Sequence, residues 1–166
     1  MRQAGTARVA LKRPLVFPHG GTGLSLRWVR DLLCQGADGA FEQMSREAEQ
    51  IAPGCDGMSA YIGVTLAGEP QAANLGGFLF PVPWNIADFT RAHFFRAALE
   101  TNAFGVCANL AALQTLGADA PDVLHVCGGQ SRSGLFLRIL ADASGLPVQP
   151  YQNPESTALG AALCAA

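Results

Sequence analysis

Apolar residues recur along this chain at two spacings, and the switches between them mark its elements. Val123 to Cys127 is an almost continuous apolar run, the pattern of a short strand buried on both faces. Gly128 and Gly129 break it. From Ser131 onward Leu135, Phe136, Ile139, Leu140 and Ala143 step at helical spacing, which predicts strand, glycine turn, helix. Upstream, Thr6 to Leu11 and Leu15 to Phe17 read as strands joined by Lys12-Arg13-Pro14. Leu24, Trp28 and Leu32, with Val29 and Leu33 one step over, form a helical stripe ending at Gly36. Phe41 to Ile51 is a more polar helix closed by Pro53-Gly54.

Gly57 to Leu66 is strand-like but broken by glycine, and Ala67 to Pro83 reads as an irregular surface loop. Within that loop Phe78-Leu79-Phe80 either packs back onto the domain or meets another one. Asp88 or Thr90 caps a long helix whose core stripe is Phe95, Leu99, Ala103, Val106, Leu110 and Leu113, flanked by Phe94 and Phe104. Glu100 and Asn102 lie off the stripe and are expected on a solvated face. Pro147-Val148 begins another short strand, Tyr151 to Pro154 is a loop, and Ser156-Thr157 caps a last helix over Ala158 to Leu163. Gly160 in that helix costs about 1 kcal/mol against alanine, so tight packing, against the strand–turn–helix unit, is expected.

The 166 residues suit one domain, and 49% hydrophobic against 14% charged is a thin supply of charge for its outside. The surplus predicts a face hidden against a neighbour or a second copy. The net charge of −2 and the lack of any basic run argue against a nucleic-acid partner. Gly, Pro or charge interrupts every apolar stretch short of bilayer length, so no membrane partner is expected, and the first residues lack a signal-peptide core. Five cysteines without Cys-x-x-Cys spacing read as reduced, mostly buried thiols of a cytoplasmic protein; Cys127 is expected to be buried. His19, His93 and His125 stand far apart, so no metal site is expected.

Gly128 and Gly129 let a ligand approach the backbone, and the helix start behind them offers free N–H groups and a positive dipole end. That suits a nucleotide phosphate or ribose. A plain connecting turn explains the same residues equally well. Gly20-Gly-Thr-Gly23 has the look of a phosphate loop but lacks the Lys and following Ser/Thr of a P-loop, and a tight helix-initiating turn is the better reading.

Four segments in one order resemble the FGGY family of carbohydrate kinases. Gly20-Gly-Thr-Gly-Leu-Ser-Leu-Arg-Trp-Val-Arg-Asp31 is similar to a strand-to-helix segment of that family. Thr90-Arg-Ala-His-Phe-Phe-Arg-Ala-Ala-Leu-Glu100 is similar to its long-helix signature. Cys127-Gly-Gly-Gln-Ser-Arg-Ser133 and the helix after it resemble its adenosine-binding turn, and Glu155-Ser-Thr-Ala-Leu-Gly-Ala-Ala162 its terminal helix. Arg27 to Cys34 and Phe95 to Asn102 look most like the autoinducer-2 kinase branch.

The resemblance implies an α/β, ribonuclease H-like or actin-like ATPase domain, the second half of a two-domain kinase, spanning residues 1–166. It implies ATP and Mg²⁺ as cofactors and phosphoryl transfer to a sugar or sugar-like hydroxyl once the N-terminal half is supplied. The implied nucleotide contacts are Gly128 and Gly129 under adenosine, Gln130 along ribose or adenine, Ser131 at the helix start facing the α-phosphate, and Ser133 on adenine. No catalytic acid or base carries over: Asp31, Asp88, Asp119 and Asp122 each have an ordinary cap, turn or surface explanation. The family's first Gly-Thr phosphate loop is lacking around Gly5-Thr6, and Gly68-Glu69-Pro70 stands where the family has Gly-Glu-Arg-x-Pro. Phe80-Pro81-Val82 replaces a Phe-Gly-Leu-like element. These departures weigh on phosphate contacts more than on adenosine. Alone, such a half is expected to have little or no kinase activity, and a non-catalytic interaction or oligomerisation module is the alternative.

Overall fold

A 25-residue helix, α3 (Arg91–Thr115), is the axis of the molecule. Around it the computed structural model describes residues 22–35, 37–63, 76–82, 89–152 and 155–165. The expected strands at Thr6–Leu11 and Leu15–Phe17, the Gly5-Thr6 and Gly20-Gly21 segments, Gly36, the end of the Gly57–Leu66 run, Gly68-Glu69-Pro70 and Asp88 lie outside those residues.

Helices α1 (Thr22–Cys34) and α2 (Ala40–Ala48) lean on one side of α3, and α4 (Gly134–Ser144) on another. Two short sheets complete the frame. Strands β1 (Ser59–Tyr61) and β2 (Gly77–Leu79) pair antiparallel, with Ala60 opposite Phe78. Strands β3 (Leu124–Val126) and β4 (Val148–Pro150) pair parallel, joined by a crossover through α4, as a parallel pair requires. The last helix is α5 (Ser156–Ala165).

Val29, Met44, Phe95, Leu99, Phe136 and Leu140 converge from four helices into one core. Each such side chain contributes about 1.5–3 kcal/mol by leaving water. The α3 stripe holds at Phe95, Leu99 and Ala103, then thins: Val106, Leu110 and Leu113 are half-buried and Phe104 is exposed. Thr90 is the N-cap of α3, and its N–H donates to His93 Nδ1 at 3.1 Å.

Five expectations are corrected. Of the expected α1 stripe Val29 and Leu33 meet the core, joined by Leu26, whereas Leu24, Trp28 and Leu32 point outward. Glu100 and Asn102 are buried rather than solvated. Glu100 sits beside Arg96, whose Nε donates at 2.9 Å, whereas both polar atoms of the Asn102 carboxamide lack a partner. Residues 77–79 form a strand inside the expected loop, and Phe78 and Phe80 fold back to meet Phe94 and Phe89 at ring separations of 5.0 and 5.6 Å. β3 is not buried on both faces, because His125 is exposed. Finally, Gly160 has nothing within 4 Å of an added Cβ, and residues 158–165 of α5 are exposed, so that helix does not pack on the strand–turn–helix unit.

Candidate functional site

The chain leaves β3 at Cys127 and turns through Gly128 at φ 82°, ψ −171°, a region of backbone space open essentially to glycine alone. Gly129–Arg132 then forms a 3₁₀ turn, and α4 starts at Gly134, later than the expected start at Ser131. Ser131 is buried inside the turn, where its hydroxyl donates to the Gly128 carbonyl at 2.7 Å. Ser133, not Ser131, is the N-cap: its Oγ accepts the Phe136 N–H at 3.2 Å.

A cavity of about 790 Å³ opens between this turn and α1 and α2. Leu26, Phe41, Phe95 and Leu99 give it an apolar floor. That size and lining fit a small organic ligand. Gly128, Gly129, Gln130 and Ser133 all line it, and Ser131 does not. A Cβ built on Gly129 meets nothing within 4 Å. Gln130 Nε2 is shielded from solvent and has no acceptor. The open glycine leaves room for a planar ligand to lie on the turn. Cys127 is exposed and lines the cavity, so the expectation of a buried thiol fails here: it sits where β3 has ended, beyond the ladder that would have covered it.

Residues that sequence reasoning passed over form the opposite wall. Arg27 comes from α1, Glu42, Ser45 and Arg46 from α2, and Glu49 from its C-cap. The signal was available: the three α2 positions and the C-cap step by three, one and three residues, a polar stripe along one helix face. Arg27 lies beside the apolar positions of α1 and reads as surface. Of the nominated aspartates within the described residues, Asp31 pairs with Arg30 at 2.5 Å, Asp119 and Asp122 are exposed, and none lines the cavity. Among the described residues no three His, Cys, Asp or Glu side chains converge on a metal position.

A second glycine-bounded turn lies before β1. Gly54, Cys55, Asp56 and Gly57 all have positive φ, at 85°, 52°, 52° and 89°. Two of the four are not glycine, and each such residue costs about 1–3 kcal/mol unless its surroundings hold it. They do. Both Glu100 oxygens accept the Gly54 N–H at 3.2 Å. The Thr90 N–H makes His93 Nδ1 an acceptor, which leaves the proton on Nε2, directed at Asp56 Oδ2 3.2 Å away. Burial, reinforced by the Glu100 charge, pushes the Cys55 thiol up to about 12.

Nearby, two Arg91 hydrogen bonds, Nε to Glu47 Oε2 at 2.7 Å and Nη2 to Oε1 at 2.5 Å, hold the Glu47 carboxyl below its usual range. A smaller cavity of about 510 Å³ runs along α4, with Arg96 and Arg138 in its wall. Their charges are met within the fold, by Glu100 and Glu49 respectively.

Residues 22–166 match the pattern described as the FGGY family of carbohydrate kinases, C-terminal domain. L-fuculokinase of Escherichia coli (strain K12) is 33% identical over 138 residues, 83% of this chain and 27% of that protein. The autoinducer-2 kinase of Photorhabdus laumondii is 31% identical over 159 residues, 87% of this chain and 28% of that protein. The identities do not set the autoinducer-2 branch apart from the fuculokinases. The crystal structure of xylulose kinase from Rhodospirillum rubrum superposes with a TM-score of 0.66 at 30% identity, over 80% of this chain and 26% of that one. The chain thus spans about a quarter of the length of the relatives it matches.

Proposed function

The chain belongs to the FGGY family of carbohydrate kinases and has the actin-like ATPase fold of its C-terminal domain; from that premise we propose that it is the ATP-binding half of a sugar kinase. The observation that carries this reading is the open glycine turn. Gly128, Gly129, Gln130 and Ser133 face a cavity with an apolar floor, and no side chain fills the space above Gly129. Adenosine lies against the turn in this reading, with its base over Phe95 and Leu99. Ser131 acts from beneath, holding the Gly128 carbonyl and with it the shape of the turn.

Phosphoryl transfer depends on positioning and on neutralising charge, and ATP with Mg²⁺ supplies the transferable γ-phosphate and part of that neutralisation. The residues here bind and orient the nucleoside and keep water off one of its faces. The sugar hydroxyl and the base that orients it belong to the family's other half, so this chain alone has little or no activity. Its working compartment in this reading is the cytoplasm, where ATP is abundant.

Thiol protection tests the reading. Cys127 lines the cavity and Cys164 lies on α5, and both are exposed. Saturating ADP is expected to slow alkylation of Cys127 at least about tenfold and to leave Cys164 unchanged. Equal rates with and without nucleotide would reject the site.

A second reading has its own observation. Leu24, Trp28 and Leu32 form an exposed apolar stripe along α1, and Leu159 and Leu163 of α5 are exposed as well. These faces suit an interaction or self-association module. A mass measurement in solution, with and without ADP, distinguishes the two: a nucleotide-independent oligomer favours the module.

A further inference from the structure

Helix α1 has two apolar faces. Leu26, Val29 and Leu33 meet the core, while Leu24, Trp28 and Leu32 stand outside it at 68%, 52% and 61% exposure. Their four-residue steps make one ridge, with each leucine about 6 Å along the axis from Trp28. The ridge reads the same in both directions: leucine, tryptophan, leucine. Arg27 and Asp31, four residues apart and both exposed, lie together on one flank of it. Arg27 is in no ion pair among the described residues, and Asp31 pairs with its neighbour Arg30.

Resting on the self-association reading, we propose that this face binds a second copy of the chain, α1 against α1, antiparallel, about a two-fold axis at Trp28. A contact of that symmetry needs a surface complementary to itself. The axis sets Leu24 against the partner's Leu32, Leu32 against the partner's Leu24, and the two indole rings against each other. It also keeps the two charged flanks on one side and reverses their direction. Arg27 then comes beside the partner's Asp31, and Asp31 beside the partner's Arg27, which gives the unpaired guanidinium its counter-charge. A parallel pairing would put the charged flanks on opposite sides and give neither a partner. Trp28 at the centre, with leucines excluding water around it, is the anchor. Three large side chains and two charges per copy cover less than the roughly 1,600 Å² of a standard interface, so the dimer is a weak one that assembles as concentration rises.

Sedimentation velocity of the full chain, from micromolar to near-millimolar concentration, is expected to show monomer passing into dimer. Trp28→Glu alters an exposed side chain, so the fold is kept, and it is expected to weaken the dimer at least about tenfold. Cross-linking reads the register. A parent chain carrying Cys127→Ser and Cys164→Ser lacks the two exposed thiols. Leu24→Cys and Leu32→Cys are each added to that parent and oxidised alone and mixed. The mixture is expected to give a disulfide-linked dimer, and either protein alone no more than the parent. A dimer that Trp28→Glu leaves intact, or a cross-link as strong in Leu24→Cys alone as in the mixture, would overturn the two-fold pairing while self-association itself stands. A wild type that stays monomeric to near-millimolar concentration would sink the pairing and the self-association reading together.

Discussion

Two turns in this molecule are built from the same raw material and do opposite things with it. Residues 54–57 and 128–131 each begin at a positive-φ glycine, and each precedes an element of the core. The first is closed. Glu100 takes the Gly54 N–H, His93 meets Asp56, and Cys55 is wholly buried. Its polar groups are answered from α3, and its strain is held there. The second is open. Gly129 faces empty space, Gln130 Nε2 has no acceptor, and an exposed thiol stands at its entrance. A turn whose groups are satisfied from within is part of the scaffold. A turn with groups left over, at the edge of a cavity, is where a ligand belongs.

That contrast can be broken from either side. The largest expected effect is on the closed turn. Glu100→Ala removes the carboxylate that holds Gly54 and leaves the Arg96 guanidinium buried without its partner, so a loss of about 3 kcal/mol is expected in urea unfolding. A loss under about 1 kcal/mol would mean that Glu100 does not hold the turn. Next come the two glycines of the open turn, which should separate cleanly. Gly128→Ala puts a Cβ at φ 82°, ψ −171° and is expected to cost about 1–3 kcal/mol. Gly129→Ala meets nothing and is expected to be near neutral in stability, within about 0.5 kcal/mol. Equal costs would show that the second glycine is also structural.

The smallest effect concerns α2, which carries one wall of the cavity and is tied to α3 by Glu47 and Arg91. The Glu47 carboxyl is held below its ordinary value, so the pair's contribution is fully present above the unfolded-state value and is lost as pH falls through the folded one. Both side chains are about one-third exposed, so solvent screening keeps the contribution to that of a surface ion pair. Glu47→Gln is therefore expected to lower stability slightly at pH 7 and to flatten its decline below about pH 4.5. An unchanged acid limb would show the pair to be idle.

Much of this was legible in the sequence, for reasons that vary by element. The β3–turn–α4 unit was readable because an apolar run, two glycines and a helical stripe each signal a different local geometry. The strand shortened by one residue at each end, and the 3₁₀ turn delays α4, moving the cap from Ser131 to Ser133. The family resemblance was carried by motif order, and residues 22–166 bear it out. What failed was facing. Leu24, Trp28 and Leu32 share their stripe with Val29 and Leu33, and periodicity alone does not say that only the latter two meet the core. Glu100 read as a surface charge because Gly54 lies 46 residues upstream and only the fold brings the two together; Arg96, one turn back on the same helix, pairs with it by helical spacing alone. The polar character of α2 was legible, but not its place beside the cavity: a wall of a cavity and a wet surface have the same pattern.

Calorimetric titration of ADP into the wild type and Gly129→Val tests the central claim most directly. The open-turn account predicts saturable binding by the wild type and at least about a tenfold loss in the variant, with both proteins melting within a few degrees of each other. Binding that survives a branched side chain at Gly129, or no binding by a folded wild type at millimolar ADP, would contradict it.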